Sequence, residues 1–190
     1  RLGHHGDGIA PGPVFVERAL PGEVVEGEVV QGRMTQPRIL TPSPDRVRPA
    51  CPHFRACGGC SVQHASDAIV AGWKADIVCQ ALAAQGLDAP IAGIHTSAAQ
   101  TRRRATLAGK RTKSGAMVGF HTRGSATLIE IPQCRLLLPQ IMDLLPALQE
   151  VTVIGASRKA EIAIAVTWSH EGADIVVAGG KPLDGPLRVD

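Results

Sequence analysis

The sequence predicts a mixed β and α+β protein: a small all-β part, a cysteine-rich loop, one helix, and then an α+β domain. Three observations carry that prediction. Short runs of β-branched residues, punctuated by Pro and Gly, occupy both ends of the chain. One central stretch, 65–86, has helical apolar spacing. Between the two lies a segment too rich in turn-formers and cysteine for regular structure. With 190 residues, 44% apolar and 19% charged, the chain can bury a core and has room for one or two domains. Its 21 glycines and 14 prolines fall short of a disordered composition but imply short strands and many turns.

PVFVER (13–18) and EVVEGEVV (23–30) read as strands around a Leu20-Pro21-Gly22 turn, giving a meander or partly closed barrel over residues 1–47. RILTPSPDRVRPA (38–50) is Pro-rich and basic and reads as a linker. The segment 48–86 holds the end of that linker, the cysteine loop and the helix. Ser66 or Asp67 can cap the helix, Ile69, Val70, Trp73, Ile77, Ala81 and Leu82 mark one apolar face, and Gly86 ends it. Cys79, mid-helix, reads as a small buried hydrophobe. Residues 87–190 form the α+β domain. RRRATLAG (102–109) and MVGFHTR (117–123) are strands joined by a basic hairpin, and ATLIEI (126–131) is a third. LLLPQIMDLLPALQEV (136–151) is a helix that its two prolines should divide, and EIAIAVTWS (161–169) with ADIVVAG (173–179) is a second hairpin.

Net charge is +3 but uneven. Residues 48–135 are strongly basic, whereas the flanking segments are near-neutral or acidic, a distribution suited to a polyanion. No apolar run is long enough to span a bilayer, and the start, RLGHHGDGIAPG, has no signal-peptide core. A chain that begins on Arg1 and stops after GGKPLDGP fits a fragment of a longer protein.

Four of the five cysteines invite a joint reading. Cys51, Cys57 and Cys60 fall within CPHFRACGGCSVQH (51–64), and Cys134 lies far downstream in IPQCRLLLP. Gly58 and Gly59 permit positive φ and can turn their N–H groups toward sulfur. Disulfides are disfavoured by the absent secretory signal. A redox pair wants its two thiols at a helix N-terminus, without Gly-Gly between them and a third cysteine beside them. A four-cysteine zinc site and an iron–sulfur cluster both remain, and spacing does not separate them.

The motif Cys51-x5-Cys57-Gly58-Gly59-Cys60-x2-Gln63 resembles that of the iron–sulfur RNA uracil-5-methyltransferases, which use S-adenosylmethionine (SAM). The resemblance extends along the whole chain. LGHHGDGIA and VFVERALPGEVVEGEV look like that family's RNA-binding TRAM domain, a small OB-like β-barrel. TRRRATLAG and MVGFHTRGSATLIEIPQC look like its central domain. It implies a [4Fe–4S] cluster on Cys51, Cys57, Cys60 and Cys134, in a structural and RNA-positioning role, since methyl transfer from SAM involves no redox change. Aerobic preparation can strip such a cluster, leaving zinc or a cluster-free site. It also implies an RNA partner, rRNA ahead of tRNA, with no DNA or membrane partner, and a cytoplasmic location; the oligomeric state is left open by the sequence, with a monomer favoured. The other reading, a stand-alone RNA-binding module with a four-cysteine zinc site, stays open.

For the RNA, the window 100–123 offers Arg102, Arg103, Arg104, Lys110, Arg111, Lys113, His121 and Arg123 and not one acid. Strand alternation should turn Arg103 away from Arg102 and Arg104. With three Phe, two Trp and no Tyr, a sheet stacking several bases is not expected. No segment reads as a strand, Gly-rich turn and helix that would hold SAM: VTVIGASRKAE (151–161) leads into a strand, and IVVAGGKPLDGP (175–186) into helix breakers. In the resembled family the SAM site, the nucleophilic cysteine and the general base lie in a C-terminal catalytic domain. The sequence is therefore expected to supply recognition, to be inactive alone, and to have its own catalytic domain as a partner.

Overall fold

The computed structural model describes residues 1–182. They divide into two compact units, residues 1–50 with 60–96, and residues 51–59 with those from Ser97 onward. The cysteine motif is thereby split, Cys51 and Cys57 going to the second unit and Cys60 opening the returning segment of the first.

In the first unit, strands β1 (Gly8–Ala10), β2 (Val14–Val16) and β4 (Arg33–Met34) form one sheet in the order β1-β2-β4. β3 (Val24–Glu26) and β5 (Arg38–Thr41) form a second, antiparallel pair with a register shift between Val24 and Val25. The strands are shorter than the sequence suggests, because Pro and Gly interrupt the ladder every few residues, and they pair as two separate small sheets. The core here is modest: Val16, Ala19 and Met34 are buried. Residues 38–50, expected as a linker, are instead built into this unit. Arg38–Ile39 pair with Val25–Glu26. The Glu23 carboxylate accepts from the Leu20 N–H at 2.8 Å, the Ser43 N–H at 3.1 Å and Arg46 Nη2 at 2.7 Å.

Helix α1 (Asp67–Ala83) starts as expected, with Ser66 Oγ accepting from the Ile69 N–H. Its apolar residues do not converge on one buried face: none of the helix is fully buried, and Ala81 and Cys79 are exposed. The sequence DAIVAGWKADIVCQALA is apolar on most sides, so a single stripe was an over-reading of its spacing. Trp73 ties it down by donating its indole N–H to the Gly3 carbonyl at 3.1 Å.

The second unit is an antiparallel five-stranded sheet, order β10-β9-β6-β7-β8. Its strands are β6 (Arg104–Arg111), β7 (Ala116–His121), β8 (Leu128–Glu130), β9 (Ile162–Ser169) and β10 (Gly172–Ala178). Helices α2 (Pro139–Asp143) and α3 (Leu145–Gly155) cover one face. Both prolines sit in the first turn of a helix, where the missing N–H costs nothing, so they open two helices rather than break one. Alternation along β6 and β9 sends Leu107, Ile162, Ile164 and Val166 inward against Leu137, Ile141 and Leu148. Gly109 shares that inner face, and a Cβ there would lie 2.5 Å from Thr152 Oγ1 of α3. The other face carries Thr106, Ala108, Ala163, Ala165 and Thr167, small residues under no helix. No helix among the described residues is long and apolar enough to cross a membrane. The turn and helix breakers expected over 183–186 lie outside the described residues.

Candidate cysteine site and nucleic-acid interface

Within the second unit the segment 51–59 folds as successive turns held from both sides. The Cys57 N–H donates to the His53 carbonyl at 2.7 Å, and the Gly58 N–H to the His121 carbonyl at the end of β7 at 2.8 Å. From the other side, the Gln133 N–H donates to His53 Nε2 at 3.2 Å. Phe54 is buried and so belongs to the interior rather than to a base-contacting surface. Gly58 and Gly59 are needed for a reason different from the expected one. Neither has positive φ. A Cβ on Gly58 would come within 2.7 Å of the His121 carbonyl oxygen, and one on Gly59 within 3.1 Å of the Phe120 ring. Close approach of backbone to β7, not left-handed geometry, selects glycine here.

This packing brings Cys51, Cys57 and Cys134 together in one unit. Cys51 and Cys134 are buried and Cys57 half-buried. Burial pushes the Cys57 thiol up, against the pull of the Gly59 N–H 3.4 Å from its sulfur, and the nearby Cys134 and Cys51 push it further. The Leu136 N–H likewise points at Cys134 Sγ at 3.4 Å. A raised thiol is the opposite of what a redox-active thiolate requires. Two of these three sulfurs accept an N–H···S hydrogen bond, a feature shared by thiolate metal and cluster sites. Among the described residues no three His, Cys, Asp or Glu side chains are drawn in tightly enough to hold one metal ion. Cys60 is half-buried and follows Cys57 by three positions.

The basic residues of 100–123 do not form one patch. Arg102, Arg103 and Arg104 are all exposed at the start of β6, and Arg102 precedes the strand, pairing by its backbone with Leu136 and Leu138. Lys110, Arg111 and Lys113 gather at the far end, about 23 Å along an eight-residue strand at ~3.3 Å per residue. Arg104 and Lys110 share the helix-free face, since they alternate with inward-facing Leu107 and Gly109.

An acid that the sequence window did not contain enters here from the residue just before β9. Glu161 Oε2 lies 2.7 Å from His121 Nε2, and its Oε1 3.3 Å from Lys110 Nζ. The hydrogen bond from His121 holds the Glu161 carboxyl below the usual range, outweighing partial burial, with Lys110 adding to the effect. The register Gly109↔Ile162 is what places Glu161 opposite Lys110, and register was not legible from strand spacing alone. Two of the expected RNA contacts therefore already share a carboxylate, while Arg102, Arg103, Arg104 and Lys113 are exposed.

Comparison with known proteins gives a consistent class. No protein-family profile matches the chain. Its homologues are RNA methyltransferases. It is 36% identical over 190 residues to an uncharacterized RNA methyltransferase of Brucella suis, covering 98% of this chain and 46% of that protein. It is 37% identical over 181 residues to the 23S rRNA (uracil(1939)-C(5))-methyltransferase of Aromatoleum aromaticum, covering 87% and 42%. Among solved structures, the fold matches the tRNA (uracil-54, C5)-methyltransferase of Pyrococcus abyssi, solved with S-adenosyl-L-homocysteine. The TM-score is 0.60 at 20% identity, over 93% of this chain and 43% of that one. The chain thus spans about half the length of the relatives it matches.

Proposed function

We propose that this chain is the RNA-recognition and cluster-binding part of a SAM-dependent RNA uridine C5-methyltransferase, acting on rRNA in the cytoplasm. The likeness to RNA methyltransferases over nearly the whole chain carries the reading. The 23S rRNA enzyme among the relatives supports uridine C5 and rRNA as the finer choice. Residues 1–47 are read as the TRAM-like portion, and the exposed arginines at the start of β6, with Lys113 at the hairpin, as phosphate contacts.

Cys51, Cys57 and Cys134 are proposed to hold a [4Fe–4S] cluster together with Cys60, which Gly58-Gly59 tethers to Cys57. A single tetrahedral zinc would gather its sulfurs to about 3.8 Å of one another, from Zn–S bonds of ~2.3 Å, whereas a four-iron cluster spreads them over separate irons. The motif resemblance of the cysteine loop favours the cluster over zinc. Its proposed role is to fix the 51–59 loop against the second unit. When bound, SAM supplies the methyl group. The residues of this chain bind and orient RNA, and methyl transfer is assigned to other parts of the enzyme, because no SAM-binding turn is read in 1–190. A paired target uridine has to leave its stack to be reached.

The test is anaerobic purification followed by iron and sulfide analysis, visible spectroscopy and titration with a 23S rRNA fragment. A brown protein with broad visible absorption, iron and acid-labile sulfide, and retention of the RNA are expected. Stoichiometric zinc with no visible band overturns the cluster, and failure to retain the RNA overturns the recognition role.

A further inference from the structure

The first unit contains a cleft of about 940 Å³ that neither the cysteine loop nor the basic strand accounts for. Its walls come from the N-terminal segment with β2 and β4 on one side and α1 on the other, all within that unit. The volume lies in the range of small-molecule sites.

The chemistry of the lining is specific. Phe15, in the middle of β2, is 40% exposed, unusual for a phenylalanine in a strand. Its neighbour in the parallel register is Arg33 of β4, whose guanidinium carbon lies over the Phe15 ring, 5.8 Å from the centroid. Arg33 is not left to wander: its Nη2 donates to Asp7 Oδ2 at 3.2 Å, and the Asp7 side chain is buried. The carboxylate restrains the guanidinium over the ring, a cation–π pair at the cleft wall. Opposite, the half-buried Trp73 is fixed by its hydrogen bond to Gly3. His4 is exposed at the rim, and so is Asp76. Acidic and basic groups together disfavour a bare phosphate. Flat aromatic and guanidinium surfaces with a mixed hydrogen-bonding rim suit a nucleobase.

We infer that this cleft takes one unstacked base of single-stranded RNA against the Phe15–Arg33 pair. The inference rests on the RNA-recognition reading above. It adds a base-stacking subsite to a unit whose small sheets carry no other exposed aromatic ring among the described residues. The stack contributes the sequence-tolerant part of binding, while the arginines of the second unit contribute the salt-sensitive part.

The experiment is fluorescence anisotropy of the 190-residue chain with 3′-labelled octauridylate and with a labelled eight-base-pair RNA duplex. The variants are Phe15→Leu and Arg33→Lys, the second keeping the charge but losing the plane. Both variants are expected to weaken octauridylate binding about five- to a hundredfold, the loss of one base–aromatic stack, and to leave duplex binding unchanged. Trp73 emission, isolated in a Trp168→Phe background, should be quenched by octauridylate and not by the duplex. If Phe15→Leu fails to fold by circular dichroism, Arg33→Lys decides alone. Wild-type binding with unchanged affinity in the folded variants overturns the stacking cleft and leaves the RNA reading intact. No binding of either RNA by the wild-type chain overturns both.

Discussion

His121 Nε2 of β7 lies 2.7 Å from Oε2 of Glu161, the residue just before β9. With Lys110 Nζ 3.3 Å from the other carboxylate oxygen, one acid restrains two groups on the helix-free face. Removing it should release them toward phosphate. Glu161→Gln is expected to tighten RNA binding about threefold, the scale of a partly exposed ion pair, and to steepen the salt dependence by about one counterion. Titrations at several salt concentrations measure both. The acid side follows from linkage. The Glu161 carboxyl is lowered by its His121 hydrogen bond, so its contribution is complete above the ordinary glutamate pKa and fades as pH falls through the lowered value. The gap in melting temperature between wild type and Glu161→Gln should narrow below about pH 4.5. A gap unchanged down to pH 3 would contradict this.

Gly58 and Gly59 should tolerate alanine unequally. At Gly58 the new Cβ meets the backbone, 2.7 Å from the His121 carbonyl oxygen and 3.0 Å from the Arg123 nitrogen. At Gly59 it meets the Phe120 side chain at 3.1 Å, which can shift. Gly58→Ala is expected to cost about 1–3 kcal/mol, as overpacking does, and, on the proposed cluster reading, to lower the iron bound per chain. Gly59→Ala should cost less than half as much. Denaturant melts with iron analysis compare the two, and equal effects would mean that β7 does not set the loop.

Much of this architecture was legible beforehand, for identifiable reasons. The β6–β7 and β9–β10 hairpins and the split helix were announced by alternation and by prolines 139 and 146, all local signals. That Cys51, Cys57 and Cys134 fall in one compact unit accords with the family resemblance, and their joint use as ligands is proposed. Glu161 was not, because only strand register brings it to Lys110. The role of residues 38–50 was hidden too. A Pro-rich basic stretch reads as a linker until Glu23 is seen to bind Ser43 and Arg46. Phe15 gave no signal in sequence, since a phenylalanine between two valines reads as core, and only its exposure beside Arg33 shows otherwise.

The contact between β6 and α3 depends on the missing side chain at Gly109. Thr152 is fully buried, with its hydroxyl donating to the Leu148 carbonyl at 2.7 Å, so it cannot swing away from a new Cβ cheaply. Gly109→Ala is expected to destabilise the second unit by about 1–3 kcal/mol. Thr152→Ala removes two of the three atoms that the new methyl would strike, leaving Ile162 Cγ1 at 3.0 Å. The double variant should therefore be more stable than the sum of the singles predicts, by about 0.5–2 kcal/mol in a double-mutant cycle. Simple additivity would show that helix and strand do not meet there.

Glu23 should govern the acid stability of the first unit. Its side chain is fully buried, and burial alone would raise its pKa. The hydrogen bonds from Arg46 and from the Leu20 and Ser43 N–H groups more than offset that, so the carboxyl ends up lowered. A lowered carboxyl contributes stability that is complete above its unfolded value and is lost as pH falls through the folded one. At pH 7, Glu23→Gln leaves Arg46, itself only 24% exposed, without its counter-charge, at a cost of about 3 kcal/mol. Below the ordinary glutamate value of 4.5 the unfolded state takes up a proton that the folded carboxyl resists, and the difference between the two proteins should shrink. Denaturant melts of both proteins at pH 7, 5 and 3.5 measure this, and a difference that grows on acidification would refute the ion-pair account.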